Sequence, residues 1–421
     1  MRQAASGVVT LITAMVLPSV VEAGGFRIEA QGAAALGQGL AFSASAEDPT
    51  AVYYNPAGLT RLPRTQASLN VDWIGITSHF TNRNATPPFI AAGQTERDDN
   101  PPVFPAGLYV TTAPHARVAL GLGIFSPYGL ALDWPSDGNT RFTVTHVRLQ
   151  TIDINPVLAV RVSRALSVAV GLDLIKATAD LRRVARLGLS TESSFSFDDA
   201  DDLGQGVTVG VGGNPSDAWA WGVTYRSQVR LNLQGQAHLD ATAIPTPAIS
   251  ADASLDLILP NTVSAGVAYA PTPKWGLAAD GVWTDWSSTD RFDLAISNPL
   301  LAASPSTKSI RAWRDTWGAR FGARYRFDSG WVARSGYYWN PTPIPDETLD
   351  ALLPDANRHE VTVGTGYAWE QTSLDLAYSH IFMAKRTTET NVNDSIVAGT
   401  SAAGTYRSHI DLIAVTVSYR F

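Results

Sequence analysis

Two arginines hold the clearest binding chemistry in this chain of 421 residues. Arg183 shares a period-two face with the small residues Gly171, Ala177 and Ala179, and Arg314 shares one with Arg320, Arg324 and Arg326. A guanidinium offers two parallel N–H donors that match the two oxygens of a carboxylate. If those faces line a cavity, each side chain could orient an acidic head group, a contact contributing roughly 1.5–3 kcal/mol. The alternative is a pair of rim arginines, engaged with acidic neighbours or with the phosphates of lipopolysaccharide. Arg226, Arg230, Arg320, Arg324 and Arg326 are expected to be structural, paired with carboxylates such as Asp153, Asp173 and Asp375.

Other chemistry is sparse. The chain has no cysteine, so disulfides and thiol catalysis are excluded. Its seven histidines are scattered, without a His-x-x-x-His pair. Asp198, Asp199, Asp201 and Asp202 lack the Gly and Glu placement of a calcium loop and read as a solvated external loop. There is no phosphate-binding loop, dinucleotide fingerprint or Gly-x-Ser-x-Gly elbow. A barrel-embedded lipase would need a serine beside His380 or His409, and nothing in the sequence joins them. No cofactor or metal is expected. The net charge of −7 argues against nucleic acid.

The elements that would position these groups are strands. From Ile413 to Phe421, apolar residues alternate with small or polar ones and end on an aromatic. Arg2, the apolar run Val8 to Leu17, and Val21-Glu22-Ala23 form an export signal, so residues 1–23 are expected to be removed. That run is too short to cross a bilayer as a helix. An exported chain with such a last strand reads as an all-β outer-membrane barrel, delivered to the barrel-assembly machinery through Phe421.

Alternation recurs along the chain. Trp219, Trp221, Val223, Tyr225, Val229, Leu231 and Leu233 share one parity, expected to face lipid. Trp317, Phe321, Tyr325 and Phe327 repeat it. Short connections at Ala113–His115, Ser163–Ala165, Asn214–Ala218, Pro271–Lys274, Asp328–Gly330 and Glu370–Thr372 alternate with long polar ones. The long ones include Asn82–Asn100, Val184–Leu203 and Thr388–Ala402. The rhythm gives a 14-stranded antiparallel transmembrane barrel over residues 61–421. Twelve Trp and thirteen Tyr suit its interfacial girdles. A soluble propeller would show blade repeats, and none is present.

Residues 24–60 do not alternate. Ala33-Ala34-Ala35 and the small residues of Ala41 to Ala46 precede a helix start at Glu47-Asp48-Pro49 and a turn at Asn55-Pro56-Ala57-Gly58. Small side chains and short helices suit a plug inside the bore; the alternative is a mobile periplasmic tail. In the expected third strand, Pro127 cannot donate to a ladder and Gly129 has no side chain to pack. Unpaired backbone at membrane depth is tolerated only against protein or a cavity. Pro127, Tyr128, Gly129 and Leu130 should therefore kink inward against the plug and leave a gap in the wall.

On these residues the chain resembles the FadL family of outer-membrane transporters for long-chain fatty acids and other hydrophobic compounds. The resemblance runs through Gly24-Gly25-Phe26, Glu47-Asp48-Pro49, Tyr54-Asn55-Pro56-Ala57 and Phe125-Ser126-Pro127-Tyr128-Gly129-Leu130. It continues through Thr151-Ile152-Asp153-Ile154-Asn155-Pro156, Thr224-Tyr225-Arg226-Ser227 and Trp313-Arg314-Asp315-Thr316-Trp317. It implies a barrel filled by an N-terminal hatch, with substrate leaving sideways through the wall. It also implies that Arg183 and Arg314 match basic residues near the ligand, and it points to no enzyme. Burial of ten methylenes would contribute roughly 8 kcal/mol before ordering costs, so the tail sets affinity and the head group sets selectivity. The expected activity is passive uptake of hydrophobic small molecules, foremost long-chain fatty acids, across the outer membrane of a Gram-negative bacterium. Monoaromatic hydrocarbons such as toluene stay open as ligands, because the matching residues serve both kinds of relative. A polar diffusion porin is the alternative of another class.

Overall fold

The computed structural model describes residues 24–83, 92–186, 192–240, 248–302, 308–394 and 402–421; residues 1–23, expected to be an export signal, lie outside them. Among these residues fourteen antiparallel strands form one closed wall. The first six are β1 (Gln66–Asn82), β2 (Ala106–His115), β3 (Val118–Phe125 and Gly129–Asp133), β4 (His146–Arg161), β5 (Ser167–Arg186) and β6 (Glu192–Gly213). Four interrupted strands follow: β7 (Trp219–Arg226 and Val229–Leu239), β8 (Ile249–Leu259 and Thr262–Tyr269), β9 (Trp275–Thr284 and Arg291–Ile296) and β10 (Lys308–Ile310 and Thr316–Arg326). The last four are β11 (Trp331–Asn340), β12 (Arg358–Trp369), β13 (Thr372–Met383, continued by Arg386–Thr388) and β14 (Gly404–Arg420). β14 returns to β1 along a ladder from Gln66 opposite Arg420 to Asn82 opposite Gly404, which closes the cylinder. The Phe421 amide then donates to the Thr65 carbonyl at 2.9 Å.

Closure leaves no free sheet edge apart from the interruption of β3, so backbone polar groups elsewhere pair within the wall, as hydrocarbon requires. Outward positions are apolar and exposed, among them Leu158, Val170, Trp317, Phe321, Val363 and Val417. Near the tight turns, aromatics pair on the outer surface: Trp219 with Tyr269 at 4.5 Å, Trp275 with Tyr325 at 4.9 Å and Tyr419 with Phe421 at 4.9 Å. They form the periplasmic girdle of a membrane barrel.

Three expectations need correction. Most of the stretch Val184–Leu203 is strand: β5 and β6 stay paired up to Arg186 and Glu192. The acidic cluster therefore sits in the ladder of β6, with Asp199 at φ +55° as a bulge, Asp198 beside Arg182 and Asp201 beside Lys176. Second, β7 turns over between Arg226 and Val229. Thr224 and Arg226 are buried in the bore, yet so are Val229, Leu231 and Leu233, while Arg230 is exposed outside. A one-residue slip exchanges the faces of a strand, and Ser227-Gln228 supplies it. The Ser227 amide donates to the Val207 carbonyl and its Oγ accepts from the Val207 amide, both at 2.9 Å, so the ladder survives. β8 turns over at the same height, at Pro260-Asn261, where Asn261 Oδ1 accepts the Gln228 amide at 2.9 Å. Third, β10 resumes only at Thr316, so the parity of Arg320 does not extend to Arg314.

The paired reversals divide the bore. Below them it is polar, lined by Thr224, Arg226 and Thr262; above them it is apolar, lined by Val229, Leu231, Leu233, Leu257 and Leu259.

Candidate functional site

Residues 24–62 fill the lower bore. They contain the helices α1 (Ala33–Leu36) and α2 (Ala51–Tyr54) and a 3-10 turn, Pro56–Arg61. Asn55 starts that turn: its Oδ1 accepts the Ala57 amide at 3.1 Å, Pro56 takes the first position, and its Nδ2 donates to the Ser43 carbonyl at 2.8 Å. Ala57 is buried at the centre. The segment is tied to strands around the circumference. Thr416 of β14 accepts the Ala33 amide at 2.8 Å, and Thr362 of β12 accepts the Gly39 amide at 3.0 Å. Asp280 of β9 takes the Phe42 and Ser43 amides at 3.0 and 2.8 Å, and Thr224 of β7 donates to the Tyr54 carbonyl at 2.8 Å. Glycines in the wall permit this approach: a Cβ at Gly222 or Gly336 would collide with the backbone of Ser43 or Gly39.

The wall breaks where the plug begins. β3 stops at Phe125, runs inward through Ser126, Pro127 and Tyr128, and resumes at Gly129; Pro127, Tyr128, Gly129 and Leu130 are all buried. The plug supplies the pairing that the ladder lost. The Ile28 amide donates to the Pro127 carbonyl and the Gly129 amide to the Phe26 carbonyl, each at 2.9 Å. Gln31 Nε2 donates to the Ser126 carbonyl at 2.8 Å, and Thr151 of β4 holds the Tyr128 amide at 3.0 Å. The Phe26 ring is enclosed by Trp286, Trp313 and Tyr128 at 5.1, 5.9 and 5.9 Å. On the β2 side, the pairing with β3 runs only as far as Ile124, opposite Leu108. Before β2 the chain reads Pro101-Pro102-Val103-Phe104-Pro105, and its three prolines offer no N–H.

Ion pairs lock this junction. Glu29 binds Arg320 of β10, lies 3.5 Å from Arg27 and accepts the Tyr338 hydroxyl at 3.0 Å. Glu47 binds Arg324 and, at 3.0 Å, Arg326. Burial works to raise the Glu47 carboxyl, but those two arginines outweigh it and hold it below the usual carboxylate range. Its neighbour Asp48 is pushed up to about 6, by burial first, while Thr50 donates to it. Arg226 is held by Asp173 and, at 3.2 Å, by Asp153; Asp375 pairs with Arg334 at 2.7 Å. The cavity where Arg27, Tyr53, Tyr128 and Arg226 meet is about 30 Å³, room for about two waters.

Above the junction, Arg183 lies on the inward face of β5 with its guanidinium 4.9 Å from the Phe195 ring centre. Ile175, Phe195, Phe197, Leu231 and Leu233 form the apolar cluster of this upper bore. Arg314 is not part of it: its side chain is 73% exposed and pairs with Glu347 at 3.3 Å.

The chain matches, over residues 14–421, the family model described as outer membrane protein transport protein (OMPP1/FadL/TodX). It belongs to that family. The long-chain fatty acid transport protein of Escherichia coli O6:H1 is 24% identical over 392 residues, which cover 82% of this chain and 84% of the relative. A crystal structure of a Pseudomonas aeruginosa FadL homologue superposes with a TM-score of 0.82 at 19% identity, covering 94% of this chain and all of that one. The Ralstonia pickettii toluene transporter TbuX gives 0.69 at 18% identity, covering 93% and 98%.

As a FadL/TodX-family member the chain is an outer-membrane transporter of hydrophobic compounds in a Gram-negative bacterium, and not an enzyme. Sequence reasoning named Pro127 to Leu130, which lie at the break, and Asn55-Pro56-Ala57, which open the 3-10 turn, but did not name Arg27, Glu29 and Gln31, which make contacts at the junction. Their signal was present: three polar residues within five positions of a segment otherwise rich in small and apolar ones. Sequence reasoning also assigned Arg320, Arg324 and Arg326 to wall carboxylates, whereas they hold Glu29 and Glu47 of the plug.

Proposed function

We propose that this transporter takes up long-chain fatty acids by passive diffusion. The acyl chain lies in the apolar upper bore with its carboxylate at Arg183, and leaves sideways at the break in β3. Residues 24–60 act as the hatch: Phe26 to Ile28 release Pro127 to Gly129, and the wall opens toward the β2 side into the outer-membrane lipid. One observation carries the reading: Arg183 stands on an apolar inner face, where a guanidinium suits an acid with a long apolar tail. A neutral hydrocarbon would use the same walls without that cation.

Competition uptake in cells expressing the chain tests this. Oleate uptake is expected to exceed toluene uptake and to fall about tenfold in Arg183→Ala, the loss of one charge-assisted contact. Toluene uptake should be unchanged in the variant. Strong toluene uptake indifferent to oleate would replace the fatty-acid reading with the monoaromatic one.

A further inference from the structure

The outer surface of the seam between the first and last strands bears a row of basic side chains outside the proposed transport route. In the register of β1, His79 stands opposite Arg97 of the short strand Thr95–Arg97 on one side and Arg407 of β14 on the other. Their chain neighbours Ser78, Phe80, Glu96 and Tyr406 are buried toward the bore, so all three basic side chains point outward. Directly opposed residues have Cβ atoms about 4.5–5.5 Å apart, so the three basic side chains share one patch of the outer surface. Arg97 and Arg407 are exposed, and no carboxylate pairs with either among the described residues. Of the nearby acids, Asp411 is engaged with His380 at 2.7 Å and Glu389 with Arg83 at 2.9 Å, while Asp99, two residues from Arg97, is exposed and makes no ion pair with it among the described residues. Outward cations on β5 differ, since Lys176 and Arg182 each have an aspartate.

The height of the row decides what could neutralise it. From Tyr419 in the periplasmic girdle to His409 is ten residues of β14, with Ile413, Val415 and Val417 exposed between them. At about 3.3 Å per residue and a tilt near 40°, that segment rises about 25 Å, the height of a barrel's apolar band. His409 thus marks the upper edge of the band, and Arg97, His79 and Arg407 lie just above it, at head-group level. One register step further out, Thr81 stands between Thr95 and Thr405 and bonds Thr95 at 2.8 Å, adding hydroxyl donors.

We propose that this row is a docking site for a phosphorylated glycolipid of the outer leaflet, the lipopolysaccharide class. Its phosphates are held by Arg97, His79 and Arg407, and its acyl chains lie against Ile413 and Val415. The charge complementarity is local, on a chain that is acidic overall.

Native mass spectrometry of the folded mature chain, with added bis-phosphorylated lipid A and its dephosphorylated form, tests the proposal. Wild type is expected to retain phosphorylated lipid A at least tenfold more tightly than the dephosphorylated form. The double variant Arg97→Gln with Arg407→Gln should lose that preference, while Arg182→Gln keeps it. Heat-modifiable gel mobility reports that each barrel is folded. If the double variant does not fold, Arg407→Gln alone and the two lipids on wild type decide. Equal retention of both lipids by wild type would overturn the site. So would undiminished binding by a folded double variant, or inorganic phosphate displacing the lipid at equal concentration. Loss of a protein dimer, rather than of lipid, in the double variant would assign the row to a subunit interface and overturn the proposal too.

Discussion

Burial raises the Asp48 carboxyl from 3.8 to about 6, and the nearby Asp375 and Glu47 add to the rise. A folded-state value above the unfolded one means that the packed form binds the proton more tightly. The associated stability is fully present below pH 3.8 and is lost as pH rises through about 6. That rise corresponds to on the order of 3 kcal/mol. Glu47 has the opposite sign: with its folded value depressed, its contribution is present above the usual carboxylate range and lost only in stronger acid. Between about pH 4 and 6 the Asp48 effect therefore acts while the Glu47 clamp on Arg324 and Arg326 stays closed. Hydrogen exchange across residues 42–54 is expected to be slower at pH 5 than at pH 7.5, beyond the intrinsic effect, and Asp48→Asn should abolish the difference. An unchanged difference in that variant would assign the proton elsewhere. The sequence showed the acidic pair but not its division, because that depends on which carboxylate meets arginines from β10. The inward placement of Arg183 was legible because the parity of Gly171 runs unbroken along its own strand. For Arg314 it was not, because Ala312 at φ +48° interrupts the chain before β10 resumes.

Within strands, the reversal of β7 was hidden for a physical reason. In a soluble protein a strand's apolar face marks the core, but here both the membrane and the upper bore are apolar. Tyr225 facing lipid and Val229 facing the bore then look like one continuous face. Ser227-Gln228 reads as ordinary polar sequence, and nothing local marks it as a slip. The absence of cysteine makes the reversal simple to check. Oleate should protect Leu231→Cys from a thiol reagent and leave Arg230→Cys as reactive as before; the reverse pattern would restore the outward assignment of Leu231. The break in β3 was legible because proline and glycine act on backbone pairing whatever surrounds them. Its partner was not, since Phe26 to Ile28 lie about a hundred residues away in sequence. Gly129→Val adds a β-branched side chain where the Gly129 amide meets the Phe26 carbonyl. Oleate uptake is expected to fall severalfold with the folded gel band intact, and unaltered uptake would count against release at this point.

For the whole molecule, strand number and closure followed from loop rhythm and girdle aromatics, both imposed by the bilayer. The height of the β5–β6 hairpin did not, because strands beyond the membrane need no greasy face and Ser193 to Asp202 read as loop. Deleting residues 25–60 removes the hydrogen bonds to β7, β9, β12 and β14 while sparing the wall's own ladder. Planar-bilayer recordings should then show a large steady ion conductance, where the intact chain shows little; equal traces would mean that something else closes the bore. The seam has a further consequence. It joins seventeen residues at the start of the wall to the final strand, and the segment made just before β1 sits enclosed behind it. The wall closes around residues 24–62 only when β14 meets β1, so the strand synthesised last completes the enclosure of residues synthesised long before it.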